Sequence, residues 1–179
     1  MNGATYLDFD KAQQTGLKLI RTQQNPTAGL LIVVGINLGL RISDLLSLTY
    51  GELRKDSIQI IEGKTKKKRK LTMNDNIKTA IKYFDEAAFN DSFHAFRSQK
   101  ATVYSNKHVN RLLSQYFKGD RVSSHSLRKT FGRRVWDNNN QSESALMYLS
   151  EIFAHKDIAT TRKYLGIRQE QIDDIYKNL

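Results

Sequence analysis

The segment "TAGLLIVVGINL", residues 27–38, constrains this chain more than any other. A helix through it is apolar on every face, so it has to be surrounded by protein rather than laid on a surface. Pro26 suits the first turn of such a helix, and Gly39 suits its end. The wider run "GLLIVVGINLGL" is interrupted by Gly35 and Asn37 and is too short to cross a bilayer. The remainder of the chain must therefore wrap a buried central helix.

The other segments supply that wrapping. Asp8 or Asp10 can cap a first helix running to about Arg21, with Phe9, Ala12, Leu17 and Ile20 as its apolar positions. Ser43 is placed to cap a short helix over "DLLSL". "DSIQIIEG" alternates and is rich in β-branched residues, which predicts a strand; "KRKLTMN" is its expected hairpin partner across a "GKTKK" turn. Helical patterns follow at 75–88, 107–117, 124–137, 142–153, 157–165 and 168–178, while 89–106 shows no clear pattern. The expected fold class is α+β, mainly α-helical with a small antiparallel β-sheet, because strands and helices are segregated. No linker, repeat or low-complexity tract divides residues 1–179, which predicts a single domain.

Charge narrows the function. Lys and Arg number 29 against 18 acidic residues, a net charge of +11 that favours a polyanionic partner, of which nucleic acid is the commonest. "KTKKKRK" (Lys64 to Lys70) and "RKTFGRR" (Arg128 to Arg134) concentrate the excess. The chain has no cysteine, which removes disulfides, thiolate metal sites and cysteine catalysis. No basic-then-apolar leader opens it, so a cytoplasmic location is expected. Neither a G-x-x-x-x-G-K-S/T loop nor a G-x-G-x-x-G turn is present, so nothing points to a nucleotide cofactor. His94, His108, His125 and His155 lack the paired spacing of metal ligands, and no metal is expected. No nucleophile elbow occurs.

Several charged or reactive residues stand where they need an explanation. Arg41 in "GLRISDLLSL" follows the apolar helix directly, and a charge there must be paired or reach a cleft; Asp44 is the nearest candidate partner. In "SSHSLRKTF", Ser124 as cap would put His125 in the first turn and Arg128 one turn later, a combination suited to an anion. His155 and Tyr164 lie nine residues apart in "EIFAHKDIATTRKYLG". Arginines, lysines and imidazoles near a phenol suit attack of tyrosine on a phosphodiester. The phenol, with an ordinary pKa of ~10, needs a proton acceptor. Two guanidinium forks can stabilise the phosphorane, and a hairpin lysine can protonate the leaving oxygen.

The order Arg, Lys, His-x-x-Arg, His, Tyr, from about residue 27 to 166, resembles the catalytic domain of the tyrosine recombinases, or phage-type integrases. "GLRISDLLSL", "SSHSLRKTF" and "FAHKDIATTRKY" are similar to that family's three boxes. The resemblance implies Tyr164 as nucleophile forming a 3′-phosphotyrosyl bond, and Arg41 and Arg128 as the phosphate clamp. It implies Lys64 as general acid, with Lys66 and Lys67 as neighbouring competitors. His125 would assist proton transfer, His155 would hydrogen-bond the phosphate, and Asp44 would support the site. Lys66, Lys67, Lys68, Arg69, Lys129 and Arg133 are the expected DNA contacts. The implied activity is site-specific DNA recombination without metal or ATP, acting on double-stranded DNA as a tetramer from a protein that is monomeric when free. Strand rejoining of the type IB topoisomerase or telomere-resolvase kind, or an inactive DNA-binding module, are the alternatives on the same fold. A basic RNA-binding protein lacks an aromatic-basic signature here.

Two departures from the family pattern stand out. "FAH" replaces leucine-glycine-histidine, for which a minor packing change is expected. The family's N-terminal core-binding domain has no counterpart in these 179 residues, as expected of an isolated catalytic domain or of a naturally short recombinase, and without it weak, steeply salt-dependent DNA binding is expected. The tail "GIRQEQIDDIYKNL" offers Ile167, Ile172, Ile175 and Tyr176 as the apolar side of a last helix, for docking on a neighbouring protomer or on its own domain.

Overall fold

A computed structural model of the chain describes residues 3–118 and 121–178, with the side chains of 168–171 outside that description. The described residues form two compact units, one running to Phe131 and one starting at Gly132.

The first unit is built on α2 (Pro26–Leu38), the expected apolar helix, in which every residue from Ala28 to Ile36 is buried. Asn25 caps it, its side chain accepting from Ala28 N, and Gly39 ends it in the left-handed conformation. Against it lies α1 (Phe9–Arg21), capped by Asp8. The two approach closely because Gly16 faces Gly29: a Cβ on Gly16 would sit 2.9 Å from the Gly29 carbonyl oxygen. Asn37, the polar interruption of α2, is satisfied by giving its amide to Val33 O and Gln13 and accepting from Asn74 and Asn76.

After the Gly39 turn come α3 (Ile42–Leu46) and α4 (Tyr50–Arg54). Arg41, not Ser43, occupies the position ahead of α3, which has no side-chain cap. The sequence reading did not find α4, although its Thr49–Glu52 capping box is complete, with Glu52 Oε2 accepting from Thr49 N and Thr49 Oγ1 from Glu52 N. Strands β1 (Ser57–Ile61) and β2 (Lys68–Thr72) pair antiparallel, Ile58 opposite Leu71 and Ile61 opposite Lys68, as the alternation predicts. The mainly helical α+β class therefore holds.

Helix α5 (Asp75–Ile81) is shorter than the expected 75–88. Arg54 explains its early end. Its Nη2 donates to the carbonyls of Phe84 (2.9 Å) and Phe89 (3.0 Å), drawing residues after α5 into turns around it. Phe84 and Phe89 then pack on the Tyr50 ring, with centroids 5.6 and 5.2 Å away. The patternless stretch 89–106 is mostly turns, with isolated bridges Thr49–His94 and Arg97–Val103. Helix α6 (Asn106–Tyr116), capped by Ser105, follows.

Helix α7 (Ser124–Asn138) begins in the first unit and finishes in the second. The residue ahead of it is Ser123, whose Oγ accepts from His125 N. Ser124, the expected cap, is already helical and ties α7 to α6: its N donates to Asn110 and its Oγ to Asn106. The second unit continues with α8 (Glu143–Phe153), α9 (Ile158–Leu165) and α10 (Ile167–Lys177). In the tail, Ile167 is buried whereas Ile172, Ile175 and Tyr176 are exposed. Among the described residues no helix is long and apolar enough to cross a membrane.

Gly39 and Gly166 both have positive φ, +58° and +79°, but only at Gly39 would an added Cβ overlap a neighbour, the Phe131 ring. Gly166→Ala is expected to lose about 1–2 kcal/mol for the left-handed backbone alone. Gly39→Ala is expected to lose a further 1–3 kcal/mol or so for the clash. Urea unfolding of the two variants measures the difference; equal losses would show that the ring gives way freely.

Candidate active site

In the first unit the site residues gather at the end of α2. Arg128 lies one turn into α7 and is 5% exposed. Its Nη1 donates to the Gly39 carbonyl oxygen at 2.6 Å. Arg69 Nη2 reaches the neighbouring Leu38 carbonyl at 3.3 Å. The carbonyls at the end of a helix lack intrahelical donors, so two guanidinium groups complete a helix that has no basic residue of its own in its last turn.

Arg41, two residues past Gly39, pairs with Glu62 (Nη1 to Oε2, 2.6 Å). The expected Arg41–Asp44 pair thus gives way to a partner across the fold. Glu62 is 3% exposed and also accepts from Arg69 (3.4 Å) and from the Thr65 hydroxyl (2.7 Å). Burial alone would raise its pKa; the Thr65, Arg41 and Arg69 donors outweigh that and hold it below the usual carboxylate value. Asp44 is buried too, its Oδ1 accepting from Gly63 N at 3.0 Å and from Ser43 Oγ at 3.3 Å. Its Oδ2 is buried without a hydrogen-bond partner among the described residues.

Lys64 is exposed at the hairpin turn, between two anchored neighbours: Gly63 is held by Asp44 and Thr65 by Glu62. Lys66, with φ +58°, closes the turn by donating its N–H to Glu62 O (2.9 Å). Lys66, Lys67 and Lys68 are exposed, whereas Arg69 is turned inward to Glu62 and Leu38. His125 is exposed in the first turn of α7, yet partial desolvation of its ring, and then the Lys129 and Arg128 charges, lower its pKa from the ordinary 6.5. Desolvation lowers that of Lys129 also.

In the second unit His155 and Tyr164 meet. Their ring centroids are 5.2 Å apart at 73°, and Phe153 completes a cluster of three rings at 5.4 Å from His155 and 5.6 Å from Tyr164. His155 Nδ1 lies 2.9 Å from Thr161 Oγ1, and Thr161 is fully buried. Tyr164 is half-buried and its hydroxyl oxygen is shielded from solvent. Asp157 caps α9 through Thr160 N, which defines the break between histidine and tyrosine. Arg133 pairs with Asp137 and lies 5.1 Å over the Trp136 ring.

Ala154, in "FAH", is the left-handed C-cap of α8 with φ +50°. The difference from glycine there is one of backbone conformation, about 1–2 kcal/mol for a residue with a Cβ, rather than the minor packing change expected.

Sequence reading missed two of these residues, and both left a signal. Glu62 continues the alternate positions of Ile58 and Ile60, so it belongs on their side of the strand. Thr161 precedes buried Leu165 by four residues, on the same helix face.

Comparison with known proteins gives this arrangement a family. The Phage integrase family model matches residues 11–171, and the chain belongs to that family. "Probable integrase/recombinase YoeC" of Bacillus subtilis is 31% identical over 153 residues, covering 82% of this chain and 81% of that protein. "Tyrosine recombinase XerD" of Oceanobacillus iheyensis is 28% identical over 155 residues, 78% of this chain but 50% of its own length. The chain thus spans about half of this second relative. Among solved structures, XerA recombinase superposes with TM-score 0.70 at 19% identity, covering 99% of this chain and 64% of its own. XerH bound to its difH substrate in a pre-cleavage complex gives 0.64 at 19% identity, covering 96% and 53%. At these identities the structural likeness concerns the fold.

The Thr161 contact predicts a defined imidazole. Thr161→Val keeps the shape and removes the hydroxyl, so the tautomer balance of His155 is expected to change while Thr161→Ser retains it. Nitrogen-15 NMR of the His155 ring reads this directly; an unchanged spectrum in Thr161→Val would show that the hydroxyl does not set the tautomer.

Proposed function

We propose that this chain is the catalytic part of a site-specific DNA recombinase that cuts and rejoins strands through Tyr164. The observation that carries the proposal is the clustering of the family's cations on the end of α2. Arg128 binds the Gly39 carbonyl, Arg41 is held two residues on, and the hairpin bearing Lys64 is tied to Arg41 by Glu62 and to α3 by Asp44. Family membership supports the same reading, as does the fold shared with XerH recombinase, solved bound to its difH substrate.

In this scheme Tyr164 Oη attacks the scissile phosphorus while the phenolic proton passes to His125. A neutral imidazole is required for that, and the lowered His125 pKa favours it. The P–O5′ bond breaks and the leaving oxygen takes a proton from Lys64. Arg41 and Arg128 stabilise the phosphorane, and His155 donates to a non-bridging oxygen. The 5′-hydroxyl of a second strand then attacks the phosphotyrosyl bond and releases the tyrosine. The bond energy is kept in the ester, so no ATP enters. Lys66, Lys67, Lys68, Lys129 and Arg133 would track flanking phosphates of double-stranded DNA, and Asp44 and Arg69 support the clamp from within. Strand exchange between two duplexes would use a tetramer assembled on DNA from free monomers. The 1–179 region acts as one catalytic domain in this reading.

A nicked suicide duplex in EDTA is expected to trap a covalent complex with the wild type and none with Tyr164→Phe. Lys64→Ala should slow its formation by about 10²–10⁴-fold, the usual loss for a general acid. A complex that survives Tyr164→Phe would remove Tyr164 as nucleophile.

The pH dependence follows from His125. Activity is lost as pH falls through a value below 6.5, where the imidazole takes up its proton. Lys129→Gln removes a charge that lowers this value, so the acidic limb should move up towards 6.5. Single-turnover cleavage at saturating DNA measures the limb without the accompanying loss of affinity; an unmoved midpoint would show that His125 is not the proton acceptor.

A further inference from the structure

We infer that Glu62 is a positioning residue that locks the first clamp arginine, Arg41, to the hairpin carrying Lys64. The inference deepens the proposed reaction and rests on that reading of Arg41 and Lys64. Position 62 follows Ile58 and Ile60 on the inward side of β1, where an aliphatic residue would be the cheaper choice. A carboxylate stands there instead, 3% exposed. One oxygen, Oε2, accepts from both Arg41 and Thr65; the other, Oε1, accepts from Arg69.

The covalent path from Arg41 to Lys64 runs through α3, α4 and β1, yet the path through Glu62 is two hydrogen bonds. One joins Arg41 to the carboxylate and the next joins the carboxylate to Thr65, the immediate neighbour of Lys64. Gly63, the neighbour on the other side, is held by Asp44 of α3, so both flanks of Lys64 are referred to the segment that begins at Arg41. Lys66 and Lys67 are joined to the Glu62 main chain, at its O and N respectively, and Lys67 N also reaches the Thr65 hydroxyl at 3.5 Å. What sets Lys64 apart is that both of its neighbours are held by carboxylate side chains, Gly63 by Asp44 and Thr65 by Glu62.

Arg41 stabilises charge on the non-bridging oxygens, whereas Lys64 delivers a proton to O5′ as the P–O5′ bond breaks and the Tyr164 Oη–P bond forms. Both have to be correct for one phosphorus atom, and an error of about 1 Å in such placement can cost 10²-fold in rate. A carboxylate shared by the two elements fixes their spacing before DNA arrives.

Thr65→Val cuts the tether at its partly exposed end and leaves the Arg41–Glu62 pair in place, so folding is not at risk. With the suicide duplex it should slow covalent complex formation by about 10–100-fold. A substrate whose 5′-bridging oxygen is replaced by sulfur needs little protonation of its leaving group, and with it the rate should return to within a few-fold of wild type. Glu62→Gln, which disturbs Arg41 as well, should be rescued only in part. In the free protein, amide hydrogen exchange at Gly63 and Lys66 should accelerate in both variants. Equal slowing of the oxygen and sulfur substrates by Thr65→Val, or unchanged exchange at the hairpin, would overturn the inference. Accelerated exchange in the variants of a protein whose wild type forms no tyrosyl complex would instead overturn the proposed function and leave the coupling standing.

Discussion

The first unit depends on how the end of α2 is satisfied. A helix apolar on all sides can be buried only if its last carbonyls find donors, and water is not available to supply them. Gly39 turns the chain in the left-handed conformation, and guanidinium groups then meet the exposed oxygens, Arg128 at Gly39 and Arg69 at Leu38. The cations assigned to phosphate binding are thus first of all parts of the fold. Their placement inherits the rigidity of the most deeply buried element of the unit.

Two arginines at one helix end, with Arg41 beside them, would repel one another in a region of low dielectric. Glu62 resolves this by accepting from Arg41 and Arg69 together, while Arg128 is held by backbone. The carboxylate also orders the hairpin through Thr65. Charge balance at the helix end and placement of Lys64 therefore draw on the same side chain, and a change at Glu62 alters both together.

What could be read from the sequence divides along the range of the interactions. Local patterns were legible: the span of α2, an aspartate cap at α1 (Asp8 or Asp10, of which Asp8 serves), and the alternation of β1 each depend on neighbours within a few residues. The family order of Arg41, His125, Arg128, His155 and Tyr164 was legible as a resemblance. The pairing of Arg41 with Glu62 was not, because Asp44 is nearer along the chain and nothing local says that β1 returns to α3. The early end of α5 was hidden for the same reason: it is set by Arg54, from a different helix. Ala154 was misjudged as a matter of size because its left-handed φ is a property of the α8 terminus, not of the residue.

The two groups of site residues are held by different physics within their own units. The cations of the first unit sit in charge-assisted bonds as short as 2.6 Å, directional and costly to break when buried. Tyr164 is held instead by edge-on contacts with Phe153 and His155, each of about 0.5–1.5 kcal/mol, and ring contacts tolerate small rotations. His155 adds a directional restraint from the buried Thr161 hydroxyl, three residues before the tyrosine on the same helix. A clamp must present fixed donors to a phosphate, whereas a nucleophile must change its distance to phosphorus by the difference between contact and bond. Under the proposed reaction, the ring contacts fall on Tyr164, the group whose chemistry would require displacement.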